Sequence, residues 1–327
     1  MKSWKLMFVS LAVVFAAFLV GTTPSAYAAT DIGAAAQGLQ VSPAITNLNA
    51  VKGNTYLVKV SILNVTAHSL QVTGTVGDFG AKDETGTPKI LTAEQDSDLG
   101  SSASFRAWTG TIGGITLAAK TSQMVTIPVT VPDTAEAGGH YGIITFTGAQ
   151  PNINGQEIGQ VASIGSLVLV RVAGQITEQL KLDSFYVTHN GRQTGFVQNG
   201  PLDIVTRFQN TGNVHVAPTG IITVKNMLGG TTASLALTNK PGNILPDSIR
   251  RFDQTLKNKW LFGKYSLTLN ATYGESGKSI VASTSFWAIP YKLIAVVVVA
   301  LALLIVVLRK GLKRYNQRVI EKHTGQK

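Results

Sequence analysis

The chain is 327 residues long, carries a formal net charge of +11 and contains no cysteine. The missing thiols exclude disulfides, thiolate nucleophiles and Cys-based zinc sites. The location of the charge excludes a nucleic-acid surface, which needs its basic residues clustered on a folded domain: Lys2 and Lys5 supply +2 and residues 289–327 supply +7, which leaves +2 for residues 29–288.

The first 28 residues have the pattern of a secretory signal. Lys2 and Lys5 precede the apolar run Leu6–Val20, and Pro24-Ser25-Ala26-Tyr27-Ala28 ends in a small-x-small pattern, which predicts cleavage after Ala28. An uncleaved first membrane helix is the alternative. Residues 29–38 are small and Ala/Gly-rich, a leader.

From Leu39 the texture is β. Thr55–Asn64 alternates Tyr56, Val58, Val60 and Ile62 with Leu57, Lys59, Ser61 and Leu63, the period of a strand with one face in a core. Further strands are predicted at Leu70–Asp78, Phe105–Trp108, Gly114–Leu117, Ser122–Val131, Gly138–Thr147 and Ile164–Val172, with long surface loops at Gly80–Ser104 and Pro151–Gln160. A second series follows Gly174: Leu180–His189, Leu202–Asn210, Gly220–Lys225, Thr232–Leu237, Arg250–Lys257, Tyr265–Tyr273 and Ser279–Trp287. Turn signals such as Asn190-Gly191 and Asn210-Thr211-Gly212-Asn213 separate them. Short strands at this spacing without amphipathic helices predict an all-β fold of two Ig-like antiparallel β-sandwich domains in tandem, over residues 39–178 and 179–288. Residues 29–178 hold seven Lys/Arg against eleven Asp/Glu, and residues 179–288 eleven against five, so the two halves carry −4 and +6.

The chain closes on Leu293–Leu308, sixteen residues with no charged or polar side chain. As a helix this run spans roughly 24 Å of a ~30 Å hydrocarbon layer, and Trp287, Pro290, Tyr291 and Lys292 extend it to the interface. Arg309, Lys310, Lys313, Arg314 and Arg318 follow directly. The positive-inside rule puts that side in the cytoplasm. The expectation is a single-pass protein of the cell membrane, with residues 289–308 as the transmembrane helix, residues 309–327 as a basic cytoplasmic tail and the β domains extracellular.

A search for catalytic chemistry yields no motif. HExxH, GxSxG, P-loop and GxGxxG patterns are absent. His68, His140, His189 and His215 are far apart without metal-ligand spacing. Glu94-Gln95-Asp96-Ser97-Asp98 lacks the third oxygen ligand of a calcium loop and reads as a solvated loop, and Asp83-Glu84 reads as a charged turn rather than a carboxylate pair for sugar hydrolysis. No catalytic, cofactor-binding or metal-binding residue is nominated, and the chain is expected not to be an enzyme. Trp108 reads as core. Trp260 sits among Lys257, Lys259 and Lys264, with Arg250 and Arg251 just before. If the strand Arg250–Lys257 runs antiparallel to the one beginning at Lys264, these positive groups gather at one end of the sandwich. There they form either a solvated edge that discourages aggregation or a contact for an anionic surface.

Several segments carry a family likeness. Val41-Ser42-Pro43, Lys52-Gly53-Asn54-Thr55-Tyr56 and the strand ending Asn64-Val65-Thr66 resemble the opening of the first domain of bacterial WxL-interacting proteins. Ile127–Pro132 and Ala137–Phe146 resemble that domain's closing strands, and Phe208–Gly220, with Asn210-Thr211-Gly212-Asn213, resembles a segment of its second domain. The resemblance implies a cell-surface scaffold whose first domain is associated with peptidoglycan and whose second is associated with host proteins. Read from the residues alone, these motifs are also good turns, with Gly212 expected at positive φ. The leading expectation is a non-enzymatic, membrane-anchored surface protein binding cell-wall polymer or another surface protein, without nucleic acid and without a cofactor. The alternative is an assembly chaperone or accessory subunit of an envelope complex acting by strand addition at a sheet edge; an envelope hydrolase ranks third. A long unprotected edge strand favours strand addition, and a concave pocket with convergent carboxylates favours the hydrolase.

Overall fold

The computed structural model of the chain describes residues 38–91, 100–149, 162–238 and 242–324. The signal segment, the leader up to Gln37, the acidic stretch Glu94–Asp98 and the loop Pro151–Gln160 lie outside the described residues.

Among the described residues, eighteen strands and two α-helices follow in order. The first nine strands are β1 (Leu39–Ser42), β2 (Ile45–Ala50), β3 (Thr55–Asn64), β4 (Leu70–Ala81), β5 (Pro88–Ile90), β6 (Ile112–Leu117), β7 (Ser122–Thr130), β8 (Gly138–Ala149) and β9 (Ala162–Val172). The short helix α1 (Gly100–Ala103) and a 3-10 turn at Arg106–Trp108 lie between β5 and β6. The last nine are β10 (Leu180–His189), β11 (Arg192–Gln193), β12 (Phe196–Val197), β13 (Leu202–Asn210), β14 (Thr219–Asn226), β15 (Thr231–Ala236), β16 (Ile249–Leu256), β17 (Gly263–Tyr273) and β18 (Lys278–Ala288), and the chain ends in helix α2 (Tyr291–Thr324). The sheets are β1-β3-β7; β2-β9-β8-β4-β5, with β6 also on β4; β11-β10-β13-β16; and β12-β18-β17-β14-β15. Residues 39–172 build the first two and residues 180–288 the last two, and residues 37–327 form one compact unit.

Side-chain alternation sets the faces. In β3, Val58, Val60 and Ile62 are buried while Leu57 faces out, as the sequence period requires. In β17, Tyr265, Leu267, Leu269, Ala271 and Tyr273 all point inward. One core gathers Ile62, Phe105, Trp108, Ile127, Ile144 and Phe146, and the other Leu202, Ile204, Phe208, Ile222, Leu267 and Phe286. Each such large side chain contributes about 1.5–3 kcal/mol by leaving water. A third cluster, Phe79, Ile143 and Leu169, is capped by Leu245 from the later half of the chain, so apolar packing also crosses between the two pairs of sheets.

Three expectations change. Phe105–Trp108 is not a strand: the buried Asp78 carboxylate accepts from Ser104 Oγ at 2.6 Å, Phe105 N at 2.6 Å and Arg106 N at 3.4 Å, which winds this segment into a turn with Trp108 in the core. Not all pairing is antiparallel, since β2–β9 and β12–β18 are parallel. Gly212 does not adopt positive φ. Its turn is held instead by Asn210, whose buried amide donates to Val214 O at 2.9 Å and Ile244 O at 2.8 Å while its carbonyl accepts from Gly212 N at 2.9 Å. Asn64 does the same after β3, donating to His68 O, Leu117 O and Ala118 O.

Candidate interaction surfaces

Register fixes which end of the 180–288 sheets is which. Leu180, Asn210, Ile249 and Tyr273 lie at one end, and Thr188, Leu202, Leu256, Gly263 and Ala288 at the other. The first end is occupied by the earlier half of the chain. Arg207 pairs with Glu84 through two nitrogens and with Asp183 at 2.5 Å. The Arg207 guanidinium holds the Glu84 carboxyl below its ordinary pKa. Arg171 Nη1 bonds Glu178 Oε1 at 2.8 Å and reaches Glu275 at 3.2 Å. Gly139 N donates to Asn213 O at 2.8 Å. Tyr141 meets the ring of His215 edge-on at 5.6 Å. Burial, with Arg171 nearby and only partly offset by Glu178, pushes His215 down to about 4.

The expected basic cluster is divided by this geometry. β16 and β17 lie in different sheets, so they are not the antiparallel neighbours the sequence suggested. Arg250 and Arg251 start β16 and stand ~20 Å along the strand from Lys257. Arg250 is half-buried, donates to Asn243 O at 2.7 Å and lies over the Phe252 ring at 5.6 Å, and its burial lowers its pKa. Arg251 bonds Asp253 at 2.8 Å and donates its backbone N–H to Glu84 O at 2.8 Å. Both belong to the junction with the earlier half of the chain. Lys257, Lys259, Trp260 and Lys264 stay together, exposed, at the opposite end, where α2 begins. Arg192, Phe196, Lys225, Met227, Leu228 and Trp287 join them there. The sequence reading missed these six because strand pairing, not sequence proximity, brings them in. A cleft of about 540 Å³ lined by His189, Phe196, Gln198, Asn199, Ile289 and Tyr291 opens between this end and the first turn of α2.

Helix α2 places Leu293, Leu308, Arg309 and Lys310 on one continuous helix, and its Tyr291–Arg314 portion is long and apolar enough to cross a membrane, with none of it buried in the protein.

A further surface is an edge. β18 pairs with β17 along its whole length, but on its other side, among the described residues, only Phe196 and Val197 of β12 cover Trp287 and Ala288. There Trp287 N donates outward to Gly195 O at 2.7 Å and Ile289 N to Val197 O at 2.8 Å. By the two-residue period, Ser279, Val281, Ser283 and Ser285 turn their backbone N–H and C=O the same way, and among the described residues no strand pairs with them. Ser279–Ala288 contains no charge and no proline, the usual guards of an edge. The β7 edge, in contrast, is guarded by Pro128 and bridged at Val129 by Thr109. Between β6 and β7 runs an apolar groove of about 280 Å³ lined by Ile112, Ile115, Val125 and Ile127.

Catalytic chemistry finds little support in the cavities. The junction cleft of about 310 Å³ holds Glu136, Asp247, His140 and Tyr141. Both ring nitrogens of His140 lie 2.9 Å from backbone carbonyl oxygens, of Ala103 and Glu136, which hold the ring in place at the wall of the cleft. Among the described residues no group of three or more His, Asp or Glu is placed to hold a metal ion. Asp83 and Glu84 do not form a catalytic pair: Asp83 accepts from Thr85, and Glu84 is bound to Arg207.

Neither the known family models nor the curated proteins contain a match to this chain. Among solved structures, the class 5 fimbriae chaperone CfaA is 15% identical with a TM-score of 0.39, over 76% of this chain and 99% of that one. The E. coli chaperone DraB is 12% identical with a TM-score of 0.35, over 77% and 96%. A PapD-like domain of human CEP192 is 10% identical with a TM-score of 0.30, over 47% and 99%. At these scores the likenesses say nothing of what this chain binds.

Proposed function

We propose that the chain is a non-enzymatic, membrane-tethered accessory or assembly protein that captures an extended segment of another envelope protein by adding it as a strand to the β18 edge. Residues 39–178 and 179–288 act as tandem Ig-like domains, and α2 crosses the cell membrane with the basic tail in the cytoplasm. The observation that supports strand addition is the unguarded run Ser279–Ser285, ~23 Å long. The chain already lays a short segment of its own, Phe196–Val197, against the next positions of the same edge. An incoming strand satisfies the outward N–H and C=O groups by backbone hydrogen bonds, and the exposed side chain of Val281 offers apolar contact. Backbone pairing at this edge supports a polypeptide partner over a wall polymer, because only a polypeptide presents the matching row of N–H and C=O groups.

The test is a photo-crosslinking residue at Val281 in intact cells, compared with the same residue at Thr272 on the exposed face of β17. Crosslinking to a defined envelope polypeptide is expected at 281 and not at 272. Ser283→Pro removes one outward N–H while sparing the β17 ladder, so it should abolish the product. Undiminished crosslinking in Ser283→Pro would refute strand addition.

A further inference from the structure

The geometry points to a second contact with the bilayer: the end of the 180–288 sheets from which α2 leaves docks onto anionic lipid, with Leu228, Trp260 and Phe262 at the headgroup–acyl boundary. The inference rests on the reading of α2 as a membrane span.

Exposure is concentrated there. Among the described residues of 180–288, eight large apolar side chains are exposed. Six of them, Phe196, Met227, Leu228, Trp260, Phe262 and Trp287, lie at this end. Leu228 is 88% exposed and Trp260 79%. The rings are held out by a built loop. Leu261 is buried between its two exposed neighbours, Phe262 N donates to Tyr265 Oη at 3.2 Å, and Lys259 O accepts from Gly200 N at 3.1 Å. Gly200 has no room for a Cβ beside Asn258 O, so the loop fits closely on its neighbour.

The charge at this end is mostly positive. Arg192, Lys225, Lys257, Lys259, Lys264 and Lys292 are exposed, whereas Asp203 is the acid at this end and already accepts from Thr255 at 2.7 Å. The acids Glu178, Asp183, Asp247 and Glu275 sit toward the junction. Apolar tips ringed by cations match an anionic lipid surface: aromatic rings favour the interfacial layer, and lysine stems reach past it to the phosphates.

Covalent continuity supplies the occupant. Only Ile289 and Pro290 separate β18 from α2, a reach of ~7 Å at most. Ile289 N is tied to Val197 O at 2.8 Å. If α2 spans, this end has no tether long enough to stand away from the headgroups.

The test uses the full-length chain, which has no native cysteine. Single cysteines replace Leu228, Ser276 at the opposite end, and Val298 within α2, each labelled with a polarity-sensitive fluorophore. The protein is reconstituted in phosphatidylcholine–phosphatidylglycerol vesicles carrying lipids brominated along their acyl chains. Quenching is expected at 298 and 228 and not at 276. It should fall at least twofold at 228, and not at 298, when phosphatidylglycerol is omitted or when Lys257, Lys259 and Lys264 become Gln. Quenching at 298 without quenching at 228 would overturn docking and leave the span intact. No quenching at 298 would remove the span and docking together. Equal quenching at 228 and 276, or indifference to lipid charge and to the three substitutions, would also overturn it.

Discussion

Gly212→Ala tests how the two halves of the chain are joined. The turn Asn210–Asn213 is pressed against the connecting segment 175–179. Thr211 N donates to Gln179 O at 2.9 Å, Asn213 N to Thr177 O at 3.0 Å, Asn213 Nδ2 to Gln175 O at 2.9 Å, and Thr177 N to Asn213 Oδ1 at 2.8 Å. A Cβ on Gly212 would overlap the Thr177 carbonyl oxygen and stand 2.9 Å from Gln179 N. Both obstacles are backbone, which cannot swing aside as a side chain can, so turn and connector must part by about an ångström. Overpacking of this kind costs about 1–3 kcal/mol, and each hydrogen bond lost adds about 1 kcal/mol. Because φ at Gly212 is not positive, alanine recovers about 0.4–1 kcal/mol by restricting the unfolded chain. The clash wins, with an expected net loss of about 2–3 kcal/mol. Urea unfolding of the full chain in detergent, followed by tryptophan fluorescence, measures it. Gly110→Ala, with no atom near its Cβ position, serves as the control and should change stability by under about 0.5 kcal/mol. A Gly212→Ala loss no larger than the control's would refute the close-approach argument.

Further outcomes are expected from the same contacts. His215 is depressed to about 4 from an unfolded value of 6.5, so the unfolded state binds more protons between those limits and stability should fall as pH drops from 6.5 to 4, by about 3 kcal/mol in all; the loss should shrink in His215→Gln, and an identical profile would contradict it. Asp78→Ala removes the acceptor of buried N–H and O–H donors and should cost about 3 kcal/mol or more in the same urea assay. A double-mutant cycle on Glu84 and Arg207 should give a coupling of only about 1 kcal/mol, because the Glu84 side chain is 40% exposed; a coupling near zero would mean that the pair does not hold the junction. Truncation after Ala288 should release a folded protein into the medium, and retention in washed membranes would contradict a single C-terminal anchor.

The sequence showed most of what is local. The alternation in Thr55–Asn64 and Tyr265–Tyr273 predicts β3 and β17 and their buried faces, because a strand with one face in a core leaves a period of two in the chain itself. The apolar run Leu293–Leu308 is legible for the same reason. β11 and β12 have two residues each and carry no pattern. In the sequence Gly212 reads as a residue of conformational freedom, yet the structure needs it for lack of bulk, a requirement set by residues more than thirty positions away. The basic group failed in an instructive way. Arg250 and Lys257 are near in sequence, but Arg250 begins β16 and Lys257 follows its far end. Leu228, Phe196 and Trp287, dispersed in sequence, converge through the β12–β18 and β14–β17 pairings. Along a strand, neighbours in sequence separate at ~3.3 Å per residue, and only the ladder shows what lies beside them.

The two ends of the 180–288 sheets differ in what they ask of their surroundings, and this bears on how a partner would approach. The junction end has its cations matched: Arg207 by Glu84 and Asp183, Arg171 by Glu178 and Glu275, and Arg251 by Asp253. At the other end the cations Lys257, Lys259 and Lys264 and the large apolar side chains Leu228, Trp260 and Phe262 are exposed. β18 runs from one end to the other, is taken up by β12 at Trp287 and Ala288, and passes into α2 after two residues. With α2 across a membrane, positions 281–285 stand about 10–23 Å from the end of the strand. That is within reach of a segment leaving the bilayer through a short linker. Such a segment loses little translational freedom on pairing, because its own anchor already holds it near the edge, and the resulting effective concentration compensates for the modest affinity of a few backbone hydrogen bonds. A partner tethered in the same membrane would therefore bind this edge more strongly than its detached peptide, by a factor that depends on linker length and not on any further contact.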